Sequence, residues 1–192
     1  MSRVFWVRHG PTHARGGMVG WSDLPADLSD TARLRALDAA LPPAAVVVSS
    51  DLRRARETAD AIAGARDRLP PDPDLREMHF GDWELQRFDA VPDQARLFAF
   101  WDNPGDTRPP GGESWHELCA RVDRAVARAQ NAHPGRDIVA VAHFGVILTQ
   151  VQQALRLSAY EAFAHRIDNL SLTELRRGPD DAWEAGAINR LP

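Results

Sequence analysis

Two histidines and two or three arginines stand where short apolar runs break off. Val4–Val7 gives way to Arg8-His9-Gly10, Val46–Val48 to Ser49-Ser50-Asp51-Leu52-Arg53-Arg54, and Ile138–Ala142 to His143-Phe144-Gly145. A guanidinium offers a planar fork that matches two phosphate oxygens and does not lose its charge. A neutral imidazole nitrogen is a nucleophile toward phosphorus, while an imidazolium donates to a phosphate oxygen. Nearby arginines disfavour protonation of a histidine, so one imidazole stays neutral and attacks. The second can hold a proton against bound phosphate. These residue types describe a pocket for a dianion.

For the three breaks to converge, the runs before them must be neighbouring strands. Short apolar runs alternate here with longer amphipathic stretches, the pattern of an α/β protein. In a parallel sheet, ligands bind at the carboxyl ends of the strands, beside the amino ends of the following helices. Two further strands are expected at Leu170–Leu175 and within Trp183–Asn189. A first helix is expected after Leu28-Ser29-Asp30, capped by Ser29 or Asp30. A second follows Ser50, with Leu52, Ala55, Ala59 and Ile62 on one face. A third opens at Ser114-Trp115-His116-Glu117, which has capping-box spacing, and runs to about Ala132. A fourth begins after His143 and ends near Leu157. Leu69–Leu75, with three prolines, reads as a loop leading to a short extended piece. The expected fold is an α/β three-layer sandwich, a mostly parallel central sheet flanked by helices. Residues 1–192 are expected to form one domain, with an excursion at about 77–112 covering the active site.

Bulk properties narrow the partners. With 192 residues, 44% hydrophobic and 26% charged, the chain can bury a core and is not disordered. A net charge of -4 gives no general reason to bind nucleic acid or an anionic membrane, so anion binding must come from local positive charge. The one cysteine, Cys119, excludes an internal disulfide and a cysteine-built zinc site. The apolar run before Arg8 is too short for a signal peptide, and nothing approaches the ~20 apolar residues of a membrane span. A soluble cytoplasmic protein is expected, with a small phosphorylated substrate, no nucleic acid and no membrane. No cofactor and no metal are expected, because no Asp, Glu, His or Cys cluster has ligand spacing.

Arg8-His9-Gly10-Pro11-Thr12 resembles the signature of the histidine phosphatase superfamily, which includes the cofactor-dependent phosphoglycerate mutases. Gly20-Trp21-Ser22-Asp23 with Leu28-Ser29 is similar to its next block, and Ser50–Ala59 to its second-arginine helix. Leu75–Glu84 resembles the acid-bearing segment of its phosphatase branch, and Gly111–Ser114 and Val141–Ile147 complete the set. These matches lie in order from residue 3 to about 150. The resemblance implies that His9 attacks phosphorus, that Arg8, Arg54 and His143 hold the phosphoryl oxygens, and that Glu77 protonates the leaving alcohol. Helical periodicity does not choose between Arg53 and Arg54; the resemblance alone selects Arg54. Thr12 and Arg15 are expected to add substrate contacts.

Three positions depart from the family pattern. Arg15 stands where many members have asparagine, Leu85 where a glycine often follows Trp-Glu, and Phe144 where a glycine or small polar residue often follows the histidine. None removes a catalytic group, but each bears on substrate identity. The resemblance is closest to the α-ribazole-phosphate phosphatases. The alternatives are a phosphoglycerate mutase, against which the chain's length and the Phe80–Glu84 run argue, and a non-catalytic phospholigand-binding module. Glu113 is a polar candidate near the pocket, His13 and His79 are placed at its mouth, and Trp21 and Trp101 could face an apolar part of the substrate.

Overall fold

The first strand, β1 (Arg3–Arg8), buries four residues in succession, Val4, Phe5, Trp6 and Val7, as a strand covered on both faces must. The computed structural model describes residues 3–14, 16–178, 180 and 182–192. After β1 come α1 (Thr31–Ala40), β2 (Val46–Ser49), α2 (Arg53–Ile62) and a two-residue strand, β3 (Asp67–Arg68). Then follow α3 (Gln94–Asp102), α4 (Trp115–Ala132), β4 (Ile138–Ala142), α5 (Phe144–Leu155), the short α6 (Ala159–Ala162), β5 (Leu172–Arg177) and β6 (Trp183–Ala185).

Among the described residues these strands form one sheet in the order β3-β2-β4-β1-β5-β6. The pairings β1–β4, β2–β4 and β2–β3 are parallel, and β1–β5 and β5–β6 are antiparallel. Alternate residues of each strand feed opposite faces. Val4, Trp6, Val46, Val48, Ile138 and Ala140 pack with α4 and α5. Phe5, Val7, Val47, Val139 and Val141 pack with Leu34 and Leu37 of α1 and Ala55, Ala59 and Ile62 of α2. The helix–sheet–helix layering agrees with the sequence expectation, and the sheet is mixed and mostly parallel.

Local signals account for most element ends. Asp30, not Ser29, caps α1 by accepting from Arg33 N–H, and Ser114 and Glu117 close a reciprocal capping box on α4. Arg66 satisfies the carboxyl ends of two helices at once, donating to Asp38 O and Leu41 O of α1 and to Ile62 O and Ala63 O of α2. One helix was not foreseen and two expectations change. The 77–112 segment contains α3, capped by Asp93 and anchored by buried Leu97 and Phe100, a helix that was not foreseen in the sequence. Pro73–Leu75 is a 3-10 turn, and among the described residues no strand follows it before a second turn at Gly81–Trp83. The strand expected from Leu170 starts at Leu172, because Leu170 adopts a left-handed conformation (φ 56°) while Leu170 N–H donates to Arg8 O.

Leu85 also lies in the left-handed region (φ 61°), which accounts physically for glycine being favoured there. A leucine held so carries a strain of about 1–2 kcal/mol. Its side chain is 50% exposed and recovers little of that by burial. Leu85→Gly should be at least as stable as the parent in denaturant unfolding, whereas Leu85→Val, branched at Cβ, should lose about 1 kcal/mol or more. A glycine variant less stable than the parent would show that the side chain's packing outweighs the strain.

Candidate active site

Sheet register brings the two histidines together. β1 and β4 run parallel with Val7 opposite Val141 and Arg8 opposite Ala142, so the next pair out of the sheet is His9 and His143. Their ring centroids lie 5.0 Å apart, tilted by 59°. Backbone bonds lock the turn after β1: His9 N–H donates to Ala142 O at 3.0 Å, Gly10 N–H to the Thr58 hydroxyl at 2.9 Å, and Asn169 Nδ2 to His9 O at 2.8 Å.

The His9 tautomer follows from one contact. Nδ1 lies 2.6 Å from the Gly10 carbonyl, which can only accept, so Nδ1 carries the proton. In the neutral ring Nε2 then carries the unprotonated lone pair, which accepts a hydrogen bond from Arg54 Nε–H at 3.3 Å. Burial, Arg54 and Arg8 together hold the His9 pKa well below the ordinary imidazole value, against a smaller opposing effect of the Gly10 bond. His143 is fully buried and is lowered in the same way, chiefly by burial and then by Arg54. Neither of its ring nitrogens has a hydrogen-bond partner among the described residues. A buried polar pair without partners is costly and suits a group that must meet a ligand.

Apart from the Arg54 Nε–H bond to His9, the two arginines donate to backbone carbonyls. Arg54, in the first turn of α2 and fully buried, donates from Nη1 to Ser22 O (2.8 Å) and from Nη2 to Gly20 O (2.6 Å). Arg8 donates to Ile167 O at 2.6 Å, and its guanidinium lies 5.4 Å from the centre of the Phe144 ring. Phe144 thereby supports Arg8 as a cation–π face. Arg53 points outward and pairs with Glu57 at 2.5 Å.

Glu77 is 7% exposed, and both its carboxylate oxygens accept from Gly145 N–H at 3.1 Å, at the amino end of α5. A Cβ on residue 145 would lie 2.5 Å from Glu77 Oε1, so glycine there permits the approach. Burial raises the Glu77 pKa above the ordinary carboxylate value and outweighs the bonds from Met78 and Gly145 and the fields of Arg54 and Arg8, which all lower it. Trp21 Nε1 donates to Glu77 O at 2.8 Å. Arg121 donates to the carbonyls of Asp74, Arg76 and Glu77 and pairs with Glu113, which places Glu113 as a support for the Glu77 segment.

Of the residues singled out in the sequence, Arg8, His9, Arg54, Glu77 and His143 thus converge. Thr12 is half-buried on the loop beyond His9 and shares no hydrogen bond with them among the described residues, and Arg15 lies outside the described residues. Arg121, Asn169 and Thr58 were not foreseen. Arg121 had left a signal, because it falls on the apolar stripe of α4 beside Leu118 and Val122. Asn169, in a polar turn before β5, left none. Among the described residues no group of three or more His, Cys, Asp or Glu side chains is placed to hold a metal ion, and no helix is long and apolar enough to cross a membrane.

Comparison with known proteins agrees with this geometry. The adenosylcobalamin/alpha-ribazole phosphatase of Salmonella typhimurium is 29% identical over 174 residues, 86% of each chain. The phosphoglycerate mutase-like protein 4 of Arabidopsis thaliana is 35% identical over 95% of this chain and 82% of its own. The solved structure of a mycobacterial glucosyl-3-phosphoglycerate phosphatase in complex with VO3 superposes with a TM-score of 0.82 at 31% identity, covering 98% of this chain and 99% of that one. The family model of the histidine phosphatase superfamily (branch 1) matches residues 4–190, and the chain belongs to that superfamily.

Proposed function

We propose that this chain is a phosphomonoesterase that hydrolyses a small phosphorylated metabolite through a phosphohistidine on His9. The observation that carries the reading is the Gly10 carbonyl on Nδ1, which leaves Nε2 unprotonated, its lone pair accepting from Arg54 Nε–H at 3.3 Å, with the His143 ring 5.0 Å away. The Nε2 lone pair forms the N–P bond as the P–O bond to the alcohol breaks, and the Glu77 proton passes to the departing oxygen. Water then attacks phosphorus, gives a proton to the Glu77 carboxylate, and the N–P electron pair returns to His9. Arg8, Arg54 and His143 hold the phosphoryl oxygens throughout. In this reading the chain works as one domain, the 77–112 segment covers the site, and Thr12 and Arg15 add substrate contacts. The names of the relatives, alpha-ribazole and glucosyl-3-phosphoglycerate phosphatases, support a small phosphorylated metabolite and put α-ribazole phosphate first among compounds to assay.

Enzyme quenched during turnover should carry an acid-labile, base-stable phosphate that His9→Ala lacks. Phosphate trapped on serine, or near-normal turnover by His9→Ala, would overturn the mechanism.

Glu77→Gln separates proton donation from binding. An alkyl alcohol leaves badly as its alkoxide, whereas p-nitrophenolate leaves unaided. In single turnover, the variant should slow alcohol release from an alkyl phosphate far more than from p-nitrophenyl phosphate. Equal losses would make Glu77 a binding group only.

The pH dependence of that first step follows from the two shifts. His9 must be neutral and Glu77 protonated. With the His9 pKa lowered and the Glu77 pKa raised, the rate should fall on the acid side only below the ordinary imidazole range. On the alkaline side it should fall through a value above the ordinary carboxylate range, and Glu77→Gln should abolish that limb. An acid limb at the ordinary imidazole value would show that His9 is not held neutral.

A further inference from the structure

Glu84 does not touch His9, yet its carboxylate is bonded all round. It accepts from three successive backbone amides, Gly20 at 3.1 Å, Trp21 at 2.7 Å and Ser22 at 3.3 Å, from the Ser22 hydroxyl at 2.8 Å, and from Phe80 N–H at 3.3 Å. Consecutive amides turned to one side make a concavity that favours an anion. The same loop turns carbonyls the other way, and Gly20 O and Ser22 O take the two terminal nitrogens of Arg54. The Gly20 carbonyl and the Trp21 N–H belong to one trans peptide unit, so they point in opposite directions. That peptide lies between a carboxylate on its N–H and a guanidinium on its carbonyl, each polarising it in the sense that strengthens the other's bond. A Cβ at residue 20 would run into both Glu84 Oε1 and Met78 O, so only glycine allows the carboxylate this close.

We propose that Glu84 is a positioning residue that acts through the loop from Gly20 to Ser22 to hold the Arg54 guanidinium in register for the phosphoryl group. The proposal rests on the reading of Arg54 as a phosphoryl ligand. Glutamine at residue 84 keeps one acceptor oxygen but replaces the other by a donor, which faces amides that also donate. The loop must then shift, and the carbonyls that orient Arg54 shift with it.

The test is a double-mutant cycle on the full chain, with p-nitrophenyl phosphate as substrate, because its leaving group needs no proton and the role of Glu77 drops out. kcat/KM and the inhibition constant of inorganic phosphate are measured for the parent, Glu84→Gln, Arg54→Ala and the double variant. Glu84→Gln alone should lower kcat/KM about tenfold and weaken phosphate inhibition by a similar factor, within the coupling expected of one hydrogen-bond network. Added to Arg54→Ala, it should cost less than about twofold. A merely structural carboxylate would cost the same in both backgrounds, and that result overturns the proposal, as does a Glu84→Gln variant with parental constants. If Arg54→Ala leaves phosphate inhibition unchanged, the reading of the site fails first and this one with it. Should Glu84→Gln not fold, Glu84→Asp carries the same cycle, because it keeps the charge but withdraws it by one methylene.

Discussion

A pocket for a dianion must hold positive charge out of water without neutralising it, and this site does so by bonding its arginines to backbone carbonyls. Arg54 takes Gly20 O and Ser22 O, and Arg8 takes Ile167 O. A carbonyl satisfies an N–H without cancelling its charge, whereas a carboxylate would do both. Elsewhere the pairing is the ordinary one, with Arg53 on Glu57, Arg76 on Asp51 and Arg3 on Asp137. The contrast explains how a chain of net charge -4 can present a cationic site. Burial first and this uncancelled field second keep His9 neutral, and the field opposes without overcoming the burial that raises Glu77.

The second requirement is that nucleophile and partner histidine arrive together, and it is met by sheet register. His9 and His143 follow the last paired residues of β1 and β4, so their 5.0 Å separation is set by two parallel strands and not by a loop. A slip of one residue would place His9 opposite a different neighbour and reverse the faces on which Trp6 and Val7 pack, burying the wrong set. The core on both sides of the sheet thus enforces the geometry of the chemistry at its edge.

Much of this is legible in the amino-acid sequence. Unbroken apolar runs revealed β1, β2 and β4, and side-chain chemistry at their ends revealed the two histidines and Arg8. Ser114 and Glu117 announced the start of α4. What was not legible depended on contacts far apart in the chain. Arg53 and Arg54 both lie off the apolar face of α2, and burial under the loop of Gly20 and Ser22 is what separates them. The antiparallel direction of β5 and the left-handed turn at Leu170 come from pairing with β1, which no local preference of Leu172–Arg177 encodes. Helix α3 was hidden among prolines and glycines, and its short apolar face, Leu97 and Phe100, is completed by aromatics elsewhere, with Phe100 edge-on to Trp83 and Trp101 against Phe163.

Every residue has a backbone carbonyl, whatever its side chain. Arginines held by carbonyls, Arg54 by Gly20 and Ser22 and Arg8 by Ile167, therefore depend on the chain path and not on side-chain chemistry at the acceptors, although that path itself requires glycine at residue 20. Trp21 lies between two of these acceptors and is 38% exposed, and Leu85, on a neighbouring loop, is 50% exposed. Such an arrangement separates inheritance of the reaction from inheritance of the substrate. The loops can drift toward a new ligand while the charged centre stays intact, a freedom that a site built on carboxylate-paired arginines would lack.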